Sequence, residues 1–276
     1  MEVTLLGTGT PTPSPVRAGP SQHLSIADTS VLIDCGSGVC RRMVECGLEP
    51  KDVDVLFVTH MHSDHTIDLA HVLLTGWIKY RTKPLVIVGP EYTREFVSRI
   101  LHAFEADIAL RKLHERVGDE VMNVEIVEVA GGQTFERDGW RATAVEVDHG
   151  YVKPALGFLF DDGAKKVMFS GDTTECEAVL EASRGADLLV HELTRGTPDG
   201  DPHGPALEKF PPLRQRVIES HTCPHQLGPL AREAGVPMLV ATHMPVHPDA
   251  SWMQEIIASE YEGEFIIGED LLRLEV

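Results

Sequence analysis

One short stretch, residues 59–65, concentrates groups that can bind metal: its sequence is Thr-His-Met-His-Ser-Asp-His. It lies between an apolar run that predicts a buried strand and a segment with helical spacing. His60 and His62 are two apart in extended chain, so both side chains can point to the same side. Asp64 and His65 turn back at the helix start and can serve a second ion. Neutral imidazole and carboxylate are ligands that suit zinc, and also manganese or iron.

Three further candidate ligands follow predicted strands later in the chain. His149 ends an alternating strand, Asp172 comes directly after Gly171, and His243 repeats the strand-then-histidine pattern of residues 59–60. With the turn they make seven ligand groups, namely His60, His62, Asp64, His65, His149, Asp172 and His243. Seven ligands suit two ions that share one bridging carboxylate and keep an open position for water.

Composition narrows the functional classes. The 276 residues carry a formal net charge of −19, which argues against a broad surface for polyanions, although a local basic spot is compatible with it. We therefore expect no nucleic-acid partner. No apolar run is long enough to cross a bilayer, and the chain opens directly with a predicted strand. The five cysteines form no paired motif, which is typical of a reducing compartment. We expect a cytoplasmic protein with no membrane partner, either monomeric or a homodimer.

The order of the predicted elements indicates an α+β fold. Strands come in runs with helices between the runs, which favours two mixed sheets flanked by helices over a doubly wound parallel sheet. One long helical stretch is predicted over residues 91–118. Residues 195–219 are rich in Gly, Pro and charge, and we interpret them as a loop or lid over a site. The whole chain, 1–276, is expected to form one domain.

The ligand motifs in this order resemble the metallo-β-lactamase superfamily, and the resemblance covers nearly the whole chain. The motifs are Thr59 to His65, Asp148-His149, Gly171-Asp172-Thr173 and Thr242-His243. The resemblance implies a four-layer αββα sandwich whose two similar halves meet near residues 120–135. It also implies one ion held by His60, His62 and His149, a second held by Asp64, His65 and His243, and Asp172 as the bridge. The ions would be two divalent transition metals, with zinc preferred over manganese or iron.

Finer motifs resemble the branch that contains ribonuclease Z. His191-Glu192-Leu193-Thr194 is similar to the branch's HEAT motif, and His221-Thr222 is similar to its HxT motif. The resemblance implies that His221 contacts the scissile phosphate and that Glu192 orients it. Asp34 resembles an aspartate that hydrogen-bonds a ligand imidazole and fixes its tautomer, although spacing alone fits a turn aspartate equally well.

Two departures from ribonuclease Z affect the predicted substrate. The interval between His149 and Asp172 is too short for the long arm with which ribonuclease Z grips tRNA, and the chain has no PxKxRN loop. Smaller relatives of the branch, phosphodiesterases and arylsulfatases, keep the metal site without the arm. We therefore predict a dinuclear hydrolase in which a metal-bridged water attacks a small anionic ester, preferably a phosphodiester.

Several alternatives stay open. Among enzymes they are an arylsulfatase, a tRNA 3′ endonuclease and a hydrolase of lactones or other carbon esters. A metal-binding protein without catalysis is the alternative from another class, and the complete ligand set disfavours it. Asp64 is a candidate catalytic residue that accepts or passes on a proton. Trp77, Tyr151 and Phe210 are candidates to line a substrate pocket.

Overall fold

The structure is a computed structural model that describes residues 1–115, 118, 123–194, 211–244 and 251–276, with the backbone alone over 211–214. Across these residues fourteen strands form two seven-stranded sheets. In spatial order the first sheet contains β14 (Arg273–Glu275), β1 (Glu2–Gly7), β2 (Ser21–Ile26), β3 (Thr29–Ile33), β4 (Val55–Phe57), β5 (Leu85–Gly89) and β6 (Val124–Glu128). The second contains β13 (Glu264–Ile267), β12 (Met238–Thr242), β11 (Leu188–Glu192), β10 (Lys166–Phe169), β9 (Leu156–Asp161), β8 (Trp140–Glu146) and β7 (Thr134–Arg137).

Both sheets are mixed, and in the same way. In the first sheet β14, β1, β2 and β3 pair antiparallel, while β3 to β6 pair parallel. In the second sheet β7 to β10 pair antiparallel, while β10 to β13 pair parallel. The chain passes from the first sheet to the second between β6 and β7, inside the predicted boundary of 120–135. The internal likeness of the two halves and the single domain stay predictions.

Helices flank the two sheets. They are α1 (Val39–Glu45), α2 (Ser63–Thr66), α3 (Leu69–Ile78), α4 (Thr93–Ala103), α5 (Glu105–His114), α6 (Glu177–Ser183), α7 (Pro211–Ser220), α8 (Pro224–Ala234) and α9 (Ser251–Ala258), with a 3₁₀ turn at Pro50–Asp52. One buried cluster joins α1, α3 and α4 to the first sheet, and another joins α6, α8 and α9 to the second. The predicted four-layer arrangement is confirmed.

The core between the sheets is aromatic at its centre. Phe57 of β4 packs edge-on against Phe158 and Phe160 of β9, with ring centroids 4.9 and 5.0 Å apart. All three rings are fully buried, so the two sheets are locked face to face by apolar contact. This fixes the positions of the strand ends that carry the candidate ligands.

Two expectations about helices need correction. The single helix predicted over 91–118 is two helices, α4 and α5, separated at Phe104, whose φ of −103° and ψ of 12° leave the helical region. The break lets Val97 face the first sheet while Ile108 packs in a separate cluster with Trp77. Of the predicted loop 195–219, residues 195–210 and thus Phe210 lie outside the described residues, whereas 211–219 belong to helix α7.

Among the described helices, none has the length and apolar character needed to cross a membrane.

Candidate metal centre

The candidate ligands lie where strands of the two sheets end. His60 follows β4 in the first sheet. His149, Asp172 and His243 follow β8, β10 and β12 in the second. Because β10, β11 and β12 are parallel, their carboxyl ends meet at one edge, which is where open α/β sheets bind ligands. Side chains far apart in sequence therefore converge on one crevice.

The backbone around the ligands takes conformations that few residues adopt. Asp34 and His243 have φ of 59° and 55°, in the left-handed region. Gly171 has a φ of 62°, and a Cβ there would lie 2.5 Å from the carbonyl oxygen of Leu156. Glycine is thus required directly before Asp172. Such strain is retained where the surrounding fold fixes it, often at functional sites.

The first group of ligand atoms comes from His60, His62, His149 and Asp172, all within 4.8 Å of one another. His62 Nδ1 and His149 Nε2 are 3.3 Å apart. Two nitrogens bound to one tetrahedral zinc, each about 2.0–2.1 Å from the ion, would be separated by about 3.3 Å. His149 is oriented by a hydrogen bond between its Nδ1 and the Ser220 carbonyl oxygen, 2.8 Å away, which leaves Nε2 for a metal.

The second group comes from Asp64, His65 and His243, whose ligand atoms also lie within 4.8 Å of one another. His243 Nε2 is 3.3 Å from Asp64 Oδ2 and 3.5 Å from Asp172 Oδ2. His65 Nε2 is 3.3 Å from the same Asp172 oxygen. The Asp172 carboxylate therefore borders both groups.

The chemistry of these groups fits divalent ions. His60 Nε2 and His65 Nε2 are buried without a hydrogen-bond partner among the described residues, and an unpaired buried nitrogen is costly unless a ligand occupies it. Burial holds the pKa of His60 well below its usual value, so this imidazole is neutral and can coordinate. Burial would raise the pKa of Asp172, but the imidazoles of His243 and His65 hold it well below the usual range, so the carboxylate is ionised. Burial would lower the pKa of His65, but the carboxylates of Asp172 and Asp34 raise it well above its usual value, so a metal would bind this ring in exchange for its proton. Imidazoles around an ionised carboxylate are the ligands of a divalent transition metal.

Asp34 holds one side of the centre in place. Its Oδ2 lies 2.7 Å from His65 Nδ1, and its two oxygens accept hydrogen bonds from the amide and the hydroxyl of Thr59, each at 2.8 Å. The Thr59 hydroxyl also lies 3.0 Å from His60 Nδ1. Asp34 and Thr59 together orient two neighbouring ligand imidazoles.

Glu192 holds a second imidazole, that of His221. Glu192 Oε1 lies 3.1 Å from His221 Nδ1 and accepts amide hydrogen bonds from Thr222 and Thr173 at 3.0 and 3.2 Å. Burial alone would lower the pKa of His221, but the Glu192 carboxylate raises it to about 9. One nitrogen of His221 also lies within 4.8 Å of ligand atoms of Asp172 and His243, so the ring faces the metal groups.

The predicted site residues are thus brought together: the seven candidate ligands, with Asp34, Glu192 and His221 around them. The orienting contacts of Thr59, Thr222 and the Ser220 carbonyl were not predicted. The only signal in the sequence was a threonine beside each histidine motif. Two of the residues predicted to line a substrate pocket lie in different environments. Trp77 is buried in a separate core cluster, whereas Tyr151, two residues after His149, is fully exposed.

Comparison with known proteins agrees with this geometry. Residues 29–244 match the model of the β-lactamase superfamily domain. The chain is 34% identical over 284 residues to a protein named ribonuclease Z from Mycobacterium bovis, covering 100% of this chain and 98% of the relative. It is 36% identical over 283 residues to a ribonuclease Z from Mycobacterium sp. strain KMS, covering 100% of this chain and 96% of the relative.

Solved structures share the fold. The metallo-β-lactamase fold protein YhfI from Bacillus subtilis superposes with a TM-score of 0.76 at 19% identity, covering 100% of this chain and 99% of that one. The short form of human tRNase Z superposes with a TM-score of 0.71 at 22% identity, with coverage of 100% and 99%.

The match to the family model over most of the chain and the seven converging candidate ligands define the class: the chain belongs to the metallo-β-lactamase superfamily and is a metal-dependent hydrolase that binds divalent metal. Within the superfamily it belongs to the ribonuclease Z-like branch, since full-length relatives of that name share more than a third of its residues.

Proposed function

We propose that the chain hydrolyses phosphodiester bonds in RNA with two divalent ions, of which zinc suits the ligand set best. One ion would be held by His60, His62 and His149, a second by Asp64, His65 and His243, and Asp172 would bridge them. The observation that carries the proposal is the carboxylate-held imidazole of His221 beside this ligand set. It adds a cationic donor at the position where a phosphoryl group would gain negative charge.

Bound divalent ions supply a nucleophile at neutral pH, by lowering the pKa of coordinated water, and polarise a phosphoryl oxygen. The residues of the chain orient the substrate and stabilise charge. Because Glu192 holds Nδ1 of His221, Nε2 is the nitrogen that can donate a hydrogen bond to a substrate oxygen. Burial would lower the pKa of His221, but the Glu192 carboxylate raises it, which favours the protonated ring and a charge-assisted donor.

Asp64 has two proposed roles, ligand and proton acceptor. Burial would raise its pKa, but the contacts with His243 and His65 lower it below the usual value. A low pKa makes Asp64 a weak base, which favours its role as an ionised ligand. Proton acceptance by Asp64 stays a prediction.

RNA is proposed as the substrate because full-length relatives are named for that activity. The relatives' names contradict our expectation that the chain has no nucleic-acid partner. The absence of a long arm does not support that expectation either. An alignment of 284 positions that covers 98% of the Mycobacterium bovis relative leaves that protein no room for a long additional arm. The expectation of a small ester as the natural substrate has no such support.

A cleft lined by arginines also favours a phosphate-bearing substrate. A cavity of about 330 Å³ adjoins Asp64 and is bordered by the Pro-rich loop at 10–15. Among the described residues its lining contains the arginines Arg17, Arg41 and Arg42 and the acidic residue Asp64. Arginine is the side chain that best matches phosphate geometry. Arg41 and Arg42 are paired with Glu45, and Arg42 also with Asp270, so a phosphate would compete with these carboxylates.

The test is turnover of a substrate panel by the zinc-loaded full chain. The panel contains a tRNA precursor with a 3′ trailer, a chromogenic phosphodiester, a phosphomonoester, a sulfate ester and a lactone. We expect the highest kcat/KM on the RNA and activity on the phosphodiester. Turnover of the phosphodiester without cleavage of the RNA would refute RNA as the substrate, and preference for the sulfate ester or lactone would refute the reaction class.

Arg41 allows a matched test of the cleft. Arg41 forms an exposed i,i+4 pair with Glu45, and Arg99 forms the same kind of pair with Glu95 on α4, away from the cleft. Arg41→Ala should raise KM for RNA and reduce the salt dependence of log(kcat/KM) by about one unit, as expected for one lost phosphate contact. Arg99→Ala should change neither. Equal behaviour of the two variants would place the RNA elsewhere.

A further inference from the structure

A second cluster of potential ligands lies outside the catalytic centre, between α1 and α3. Cys40 of α1, Asp68 directly before α3 and His71 in the first turn of α3 each offer an atom, and the three atoms lie within 4.8 Å of one another. Cys40 is buried, whereas the side chain of His71 is 60% exposed. An ion held here would therefore be reachable from solvent through the histidine.

The chain holds two of these three groups in position. Asp68 does not cap its own helix; its Oδ2 instead accepts a hydrogen bond from the Gly38 amide at 2.9 Å, which fixes the carboxylate against the start of α1. Cys40 is fixed by packing in the core cluster beneath the first sheet. His71 Nδ1 is 3.9 Å from Asp68 Oδ2, and its exposed ring can turn without disturbing the core.

We propose that Cys40, Asp68 and His71 form a third metal site, for a zinc-class transition metal, with solvent completing a four-coordinate shell. Thiolate and imidazole select such ions over magnesium and calcium, which prefer oxygen ligands. On binding, the S–H bond of Cys40 breaks, the proton goes to solvent, and the thiolate sulfur bonds the ion.

The site is joined to the catalytic centre through the backbone. The Asp68 amide donates to the Cys35 carbonyl at 2.9 Å, and the Cys35 amide donates to the carbonyl of His65 at 2.7 Å. An ion that ties α1 to the start of α3 would thus brace the segment that carries Asp64 and His65. The proposal does not depend on the substrate of the enzyme.

Cobalt substitution tests the proposal directly, because the catalytic ligands are all nitrogen or oxygen. Cobalt bound by Cys40 would show a thiolate-to-metal charge-transfer band in the near ultraviolet, and cobalt at the catalytic centre would not. We expect this band in the cobalt-loaded full chain and its loss in Cys40→Ala. Cys46→Ala, at the other end of the same helix, is the matched control and should retain the band.

Metal counting gives the second readout. Elemental analysis after removal of loosely bound metal should give one ion fewer per chain in Cys40→Ala than in the parent or in Cys46→Ala. His71→Ala changes an exposed side chain, so it tests the site without a risk to folding. His71→Ala should weaken binding of the third ion by more than roughly 10- to 100-fold. That range is typical when a residue that only hydrogen-bonds a ligand is lost, whereas His71 would be a ligand itself. A parent without the thiolate band, or equal metal content in all variants, would overturn the proposal.

Discussion

The two sheets each contribute one buried carboxylate that holds an imidazole, and the two pairs are built alike. Asp34 follows β3 of the first sheet and binds His65, while Glu192 ends β11 of the second and binds His221. Each carboxylate also accepts hydrogen bonds from the amide of a neighbouring threonine, Thr59 or Thr222. The same arrangement therefore recurs on opposite sides of the centre.

The two pairs differ in the surroundings of the second ring nitrogen, Nε2, of each histidine. His65 Nε2 is fully buried and directed at Asp172, which suits a metal ligand. His221 is partly exposed, and it is held by Glu192 Oε1 alone, while Oε2 is buried without a partner among the described residues. We therefore propose that a carboxylate–imidazole pair orients a metal ligand where burial is complete, and presents a cation to substrate where the ring reaches solvent.

Asp172 lies between the two pairs, and its removal should have the largest effect. Asp172→Ala should abolish detectable activity and loosen both ions, because one carboxylate borders both ligand groups. Metal content and turnover measured on the same samples check this. His102→Ala, at an exposed histidine of α4, should change neither. Equal metal content in Asp172→Ala and the parent would show that another group bridges the ions.

His221→Ala tests the pair on the second sheet. It should keep both ions and lower kcat by roughly a hundred- to a thousand-fold, the usual cost of one donor to a developing charge. His225→Ala, at an exposed histidine four residues on, is the matched control. Loss of an ion in His221→Ala would make this residue a ligand, and unchanged turnover would make it a structural residue at the start of α8.

Asp34→Asn tests the pair on the first sheet. The amide can no longer accept from both Thr59 and His65 as the carboxylate does, so His65 loses its fixed orientation. We expect metal affinity to fall roughly 10- to 100-fold, with kcat near the parent value once metal is saturating. Titration with a competing chelator measures the affinity. A loss of kcat at full occupancy would contradict the division of roles between the two pairs.

Glu192→Gln should have the smallest effect, a loss of about tenfold in kcat at neutral pH, at the low end for loss of an orienting contact. It should also move the pH profile. The carboxylate raises the pKa of His221, and activity that needs the protonated ring is lost as pH rises through that pKa. Removing the charge lowers the pKa, so the basic limb of the kcat profile should move to lower pH. An unmoved basic limb would show that His221 does not titrate in the reaction.

The sequence by itself indicated the candidate ligands and determined the two mixed sheets. His60, His62, Asp64 and His65 are contiguous, so one turn between a strand and a helix fixes their relation, and local pattern is enough to read it. The order of strands and helices likewise determined two mixed sheets, because short connections leave few topologies. The local pattern did not predict the helix break at Phe104, because tertiary packing causes it. The two helices bury Val97 and Ile108 in different clusters.

Only the tertiary structure decided how distant side chains meet. Spacing left Asp34 as either a turn residue or a partner of an imidazole, and its 2.7 Å contact with His65 spans 31 residues of chain. Arg17, Arg41 and Arg42 line one cleft, where Arg42 pairs with Asp270 at 2.9 Å across 228 residues of chain. Sheet packing and strand order bring such distant residues together, and neither can be read from a local stretch of sequence.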